Sequence, residues 1–284
     1  GGFADYLFSC PIPNPSTFSK QHFIYEFVNC NPGLFICAIC DGAAYTTKMA
    51  SHIYTSIEHF FPRSIYPHLS VHPLNLVPIC SNCNSYIKGD TNPLLLNNQP
   101  INLTDLILPY QNRKVAFASS AYLAIVPRNP RPDKNKHPLR MELRPARDFL
   151  QEQQRQNIKL QALNNLYKVD ERWSEGFEEI EDQAFRRIFQ FLTLAGDLDP
   201  IQEPKALGLY LRTLMSLTDQ ESLGKDPFAY PLTWLLKSYA DQIDHLGENA
   251  PVYKAIVCWC KKNKIRIQQL IAHGKTIEDR VPLP

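Results

Sequence analysis

The feature that most constrains this chain is a set of four cysteines in two C-x2-C pairs, Cys37-Ala38-Ile39-Cys40 and Cys80-Ser81-Asn82-Cys83. A four-thiolate zinc site needs two short turns, each presenting two sulfurs at about 2.3 Å from one metal, and a C-x2-C knuckle does this. At 284 residues the chain is too long for a small disulfide scaffold, and nothing marks it as secreted. Structural zinc on Cys37, Cys40, Cys80 and Cys83 is therefore the stronger reading, with a redox pair or chance pairing as the alternatives. Residues 41–79 separate the two pairs, a longer gap than in a simple zinc ribbon, so an inserted structure is expected there. Cys258-Trp259-Cys260 falls within a helical pattern and reads as core or boundary positions. Cys10 and Cys30 carry no signal.

Composition bounds the class. Apolar residues make up 44% and charged residues 20%, which excludes disorder over the whole length. No apolar run reaches the roughly 18–20 residues of a membrane span, so no membrane partner is expected. The opening residues lack the basic and apolar regions of a secretory leader, and a cytoplasmic location is expected. The net charge of +2 names no partner, but its distribution is uneven. Residues 111–150 hold nine Lys/Arg against three Asp/Glu, and Lys254–Lys275 holds six basic residues and no acid. Two local basic segments are compatible with a polyanion partner; solvated faces explain them equally well.

Along the chain, a short helix is predicted around Lys20–Asn29 and a strand over Ser56–Phe61, stopped by Pro62. Arg63–Leu74 reads as an irregular loop. Leu76–Ile79 is short, apolar and extended, and Cys83–Lys88 starts a helix that Gly89 ends. Asn92–Leu108 reads as a polar connector. Val115–Val126 and Leu139–Leu143 have strand character and suggest a hairpin around the basic, Pro-rich turn Arg128–His137. After Pro145 the texture becomes helical. Helices are predicted over Ala146–Val169, Glu175–Leu194, Pro204–Ser216, Pro231–Leu246 and Pro251–His273, several of them opening on a first-turn proline. The predicted boundary lies at 145, with domains 1–145 and 146–284.

Between and beside the cysteine pairs lie Glu58-His59-Phe60-Phe61-Pro62, Asn75-Leu76-Val77-Pro78, Asn84 directly after Cys83, and Lys88-Gly89-Asp90. In this order and with these knuckles, about residues 35–92 resemble the HNH (ββα-metal) endonucleases. The resemblance implies an α+β chain: an N-terminal zinc-stabilised ββα-metal module with a trailing basic hairpin, followed by a mainly α-helical domain. It implies a phosphodiester hydrolase acting on DNA, with a 5′-phosphate and a 3′-hydroxyl as products. It makes His59 the base that activates water. It makes Asn75 the brace that fixes the loop and ring of His59. Glu58 and Asn84 become the oxygen ligands of one catalytic divalent ion. Two hard oxygen donors suit Mg²⁺ or Mn²⁺, and histidine is the natural base near neutral pH. Two departures are visible: Glu58 stands where Asp is more usual, and Asn84 where His gives the family its name. Lys88 and Arg63 are candidates for phosphate contact or for plain solvated side chains. His68 and His72 read as spare loop histidines rather than further ligands.

The layout, a module of this type followed by a helical extension, also resembles the HNH subunits that act beside an ATPase in Septu-type anti-phage systems. That likeness implies a defence nuclease licensed by an ATPase partner. A stand-alone restriction-type nuclease and a non-catalytic zinc-framed nucleic-acid-binding module are the alternatives. Pairing of such modules to cut both strands makes a homo-oligomer plausible.

Overall fold

A four-residue strand, β1 (Ser56–His59), pairs antiparallel with β2 (Leu76–Ile79). The register sets Ile57 opposite Pro78, Glu58 opposite Val77 and His59 opposite Leu76. Side chains alternate across a strand, so Ile57 and His59 share one face and Glu58 takes the other; Glu58 alone of the four is buried. The helix α1 (Lys20–Cys30) packs Phe23 and Ile24 against Leu76, with Ile57 beside them. The structure is a computed structural model that describes residues 20–30, 36–43, 56–108, 121–128, 137–145, 150–194, 203–219 and 226–272.

After β2 the second knuckle leads directly into a π-helical segment, Asn82–Lys88. It ends at Gly89, whose φ of +50° and ψ of −131° suit only a residue without Cβ. The predicted helix thus exists, but it is wound wider than an α-helix: the Gly89 N–H reaches back five residues to the Asn84 carbonyl. The loop 63–74 is more ordered than its composition implied. It contains 3₁₀ turns at Pro67–Leu69 and Pro73–Asn75, each opened by a proline that presets φ. The connector 92–108 holds a small hairpin, β3 (Leu95–Leu96) and β4 (Gln99–Pro100). Its turn residues Asn97 and Asn98 have φ of 51° and 63°, as a type I′ turn requires; the Asn-Asn pair was the signal for it.

Strands β5 (Ala121–Pro127) and β6 (Leu139–Pro145) form the predicted hairpin. The stretches 115–120 and 129–136 of that prediction lie outside the described residues. The N–H groups of Met141 and Leu143 donate to Ser174 Oγ and Asp170 Oδ1, both at 2.9 Å. The short helix that carries Asp170 and Ser174 thereby caps a strand edge that would otherwise be open. The helix predicted over 146–169 is α2 (Leu150–Tyr167), its first four predicted residues lying outside the described ones; a further short helix, α3 (Val169–Glu175), follows where none was predicted. They are separated by Lys168 at φ 50°. The Asn164 side chain accepts from the Asp170 N–H and donates to its carboxylate, and so holds the break.

The chain divides into two compact units, neither of them one continuous segment. The first comprises Gly1–Val126, Arg140–Ser174 and Leu223–Tyr230; the second comprises Pro127–Leu139, Glu175–Ser222 and Pro231–Pro284. The sequence boundary at 145 thus falls inside a segment that clusters with the front of the chain. The second unit is helical, built from α4 (Phe177–Leu194), α5 (Pro204–Leu217), most of α6 (Ala229–Leu246) and α7 (Pro251–Ala272). Phe189 stacks on Trp259 at 3.5 Å between ring centres. The Tyr239 hydroxyl donates to Glu181 at 2.6 Å. Cys260 is buried and Cys258 exposed. The protein is thus α+β: small hairpins near a four-cysteine cluster, then a mainly helical region. Among the described residues no helix is long and apolar enough to cross a membrane.

Candidate metal centre and the His59 site

The two knuckles bring Cys37, Cys40, Cys80 and Cys83 together, with all four sulfurs within 4.8 Å of one another. The sulfurs of Cys37 and Cys83 lie 3.8 Å apart, and those of Cys40 and Cys80 lie 3.7 Å apart. A tetrahedron with metal–sulfur bonds of 2.3 Å has edges of about 3.8 Å, so these two pairs stand at zinc spacing and the remaining sulfur pairs lie within 4.8 Å. All four are free rather than disulfide-bonded. The donor set therefore fits structural Zn²⁺, with every tetrahedral position filled by a cysteine. The first knuckle is closed by Cys37 N–H to Gly42 O at 2.8 Å and Asp41 N–H to Cys37 O at 2.9 Å. Asp41 takes φ of 57°. A Cβ on Gly42 would stand 3.3 Å from the Cys40 sulfur, so the loop runs too close to the thiolate for a larger residue.

Residues far along the chain complete this centre. Arg172 on α3 donates from Nη1 to the Cys83 sulfur at 2.7 Å. Four thiolates around a divalent ion leave a net charge of −2, and this half-buried guanidinium offsets part of it. Burial works against the Arg172 charge, but Cys40, Cys83 and Cys80 more than compensate and raise its pKa. Trp173, fully buried, donates Nε1–H to the Cys40 carbonyl at 2.8 Å. Asp41 accepts from the Tyr230 N–H at 2.6 Å through Oδ2. Arg172, Trp173 and Asp41 carry no motif signal, which is why the sequence did not expose them.

His59 stands on the opposite face of β1 from Glu58 and is half-buried. Its Nε2 donates to the Ser70 carbonyl at 3.0 Å, which places the ring proton on Nε2. Nδ1 has no hydrogen-bond partner among the described residues. Burial lowers the pKa of the ring; the Ser70 contact opposes this, and the charges of Arg63 and Lys88 add to it. The imidazole is thus neutral at pH 7 with a lone pair available, the state a general base requires. Asn75 is buried and ties three backbone groups together. Its Oδ1 accepts from the Phe61 N–H at 2.7 Å, and its Nδ2 donates to the carbonyls of Phe61 and Leu69, both at 3.0 Å. These bonds join the strand end after His59 to the turn that supplies Ser70.

Glu58 and Asn84 each bond to neighbouring groups of the chain. Asn84 donates Nδ2 to the Ile57 carbonyl at 3.1 Å, leaving its Oδ1 to accept. Glu58 is buried and ion-paired with Lys88, whose ammonium also donates to the His59 carbonyl at 3.2 Å. Burial raises the Glu58 carboxyl to about 7 even against the downward pull of Lys88. A divalent ion seeks anionic oxygen, and here the one carboxylate is already neutralised. Lys88 is neither a solvated side chain nor a phosphate contact: Gly89 turns the chain so that its side chain points under β1, with no exposed surface. Arg63 is exposed, as are His68 and His72. The buried Tyr167 hydroxyl has no hydrogen-bond partner in the described structure.

No protein-family model, curated protein or solved structure matches this chain, so the reading of the site rests on its own geometry.

Proposed function

We propose that this chain is a zinc-framed endonuclease that hydrolyses phosphodiester bonds of nucleic acid, with His59 as the general base. The observation that carries the reading is the His59 ring. It is neutral, half-exposed, fixed through Nε2 on Ser70 O and open at Nδ1. In hydrolysis Nδ1 takes a proton from water, the hydroxide attacks phosphorus, the bond to the 3′-oxygen breaks, and the departing 3′-oxygen takes a proton from solvent to become the 3′-hydroxyl. Asn75 positions the loop that holds the ring. Arg63, exposed and close enough to depress the His59 pKa, offers a cation to the phosphate. The resemblance to HNH enzymes supports DNA as substrate, and its likeness to defence subunits supports a role licensed by an ATPase partner, which co-purification checks.

Nicking of supercoiled plasmid, with Mg²⁺ or Mn²⁺ and with chelator, tests the reading. Loss of a general base removes about 10²–10⁴ of rate, so His59→Ala is expected to lower nicking by that factor while the zinc content stays unchanged. Equal nicking by both proteins removes His59 from the chemistry. A second reading, a nucleic-acid-binding module without cleavage, is favoured by the closed Glu58–Lys88 pair; plasmid binding with no nicking under any ion decides for it.

The pH profile adds a second check. Because the His59 pKa is lowered, the ring is deprotonated from neutral pH upward. Activity is therefore expected to climb with pH and level off by neutrality, its acid limb below the ordinary histidine value of about 6.5. Arg63→Ala removes a cation that disfavours the imidazolium and moves that limb upward. A limb that stays in place disconnects Arg63 from the ring.

A further inference from the structure

We propose that Lys88 is the resident cation of the Glu58 position: its ammonium fills the place beside the carboxylate that a divalent ion would take, so the protein free of nucleic acid holds no such ion there. The inference deepens the nuclease reading by naming how its cation site is controlled, and it rests on that reading only in taking Glu58 as the anionic group of the site.

Three features carry it. The alternation of β1 sends Glu58 away from the His59 face and beneath the strand, where its side chain is 3% exposed and that of Lys88 is 0% exposed. The three N–H bonds of the ammonium are matched by three acceptors: Glu58 Oε1, the His59 carbonyl at 3.2 Å and the Gly89 carbonyl at 3.4 Å. Lys88 is thus a fully satisfied buried cation, unlike a flexible surface lysine. It also sits on the same wide turn as Asn84, tied by the Gly89 N–H to the Asn84 carbonyl at 3.0 Å. Any withdrawal of Lys88 therefore disturbs the residue that would be the second ligand. One carboxylate cannot neutralise both an ammonium and a divalent ion in a buried place; bringing both there leaves uncompensated positive charge. Entry of an ion and departure of Lys88 are consequently one event.

The test is Mn²⁺ binding to the zinc-loaded full chain, followed by the electron paramagnetic resonance signal of free Mn²⁺. Wild type is expected to bind no Mn²⁺ at micromolar to low millimolar levels. Lys88→Met is expected to gain a site binding at least about tenfold tighter, the effect of deleting a like charge beside a bound cation, and Lys88→Met combined with Glu58→Gln to lose it. Wild-type binding that Lys88→Met leaves unchanged, or no gain in that variant, overturns the proposal. Should Lys88→Met fail to fold, amine acetylation of wild type read by mass spectrometry decides instead, with exposed Lys261 and Lys262 as internal references. Lys88 is expected to stay unmodified while the references react. Rapid acetylation of Lys88 in ion-free protein overturns the proposal, as does Mn²⁺ bound while Lys88 stays protected. None of these readouts measures cleavage. Their failure leaves the His59→Ala result standing, and failure of the nuclease reading leaves them interpretable.

Discussion

A Cys40→Ser chain is expected to lose its zinc and with it the cooperative unfolding of the first unit. Structural zinc on thiolates contributes about 10–16 kcal/mol to folding, while a whole domain retains only about 5–15 kcal/mol. Loss of the metal therefore exceeds the margin. The consequences are not local. Ile36, Cys37, Ala38, Ile39 and Cys40 are all buried, so the first knuckle is core rather than a surface clip. Without the metal the remaining sulfurs revert toward neutral thiols, and the half-buried Arg172 guanidinium, 2.7 Å from the Cys83 sulfur, loses the negative charge that balances it. Metal content by mass spectrometry and a thermal melt by circular dichroism check this. A Cys40→Ser protein that is metal-free yet melts as wild type does shows that the four sulfurs are not a zinc site.

Trp173→Ala is expected to lower stability by about 3–5 kcal/mol for the cavity alone. The indole is 1% exposed and lies against Tyr230, with ring centres 5.8 Å apart. Its loss also strips the Cys40 carbonyl of its donor, and an orphaned buried carbonyl adds about 1–3 kcal/mol. For a unit of this size each kcal/mol lowers Tm by about 2–4 °C, so a fall of roughly 10 °C or more is expected. Trp173→Phe separates the two causes, since it keeps most of the packing and removes only the hydrogen bond. A Trp173→Ala melt within two or three degrees of wild type, roughly the effect of 1 kcal/mol, would falsify the claim that α3 supports the zinc knuckle.

Much of the framework was readable because it is local. The helices over 177–194, 204–217, 229–246 and 251–272 follow from apolar spacing and first-turn prolines, and their ends fall within two residues of the predicted ones, His273 lying outside the described residues. The stop near Lys168 was placed within two residues, but the short helix Val169–Glu175 after it was not readable: it is too brief to show an apolar period, and the Asn164–Asp170 bonds that hold the junction leave no pattern in the sequence. At the candidate site the sequence pointed to His59, Asn75, Glu58 and Asn84 as a group. It had no means of showing that Glu58 faces away from His59 toward a lysine thirty residues on, or that Lys88 is buried.

What the sequence alone determined is the part governed by short-range geometry: knuckles that can each present two sulfurs, strands that alternate, and helices with one apolar stripe. What only the tertiary structure decided is how distant segments meet there. Arg172 reaches Cys83 across 89 residues and Trp173 reaches Cys40 across 133. Lys88 finds Glu58 because Gly89 ends a π-turn beneath β1. Such contacts leave no periodic trace, since any arginine, tryptophan or lysine of suitable reach reads the same in a string of letters. Burial selects the partner: a charge or polar group withdrawn from water must find its complement wherever in the chain that complement lies.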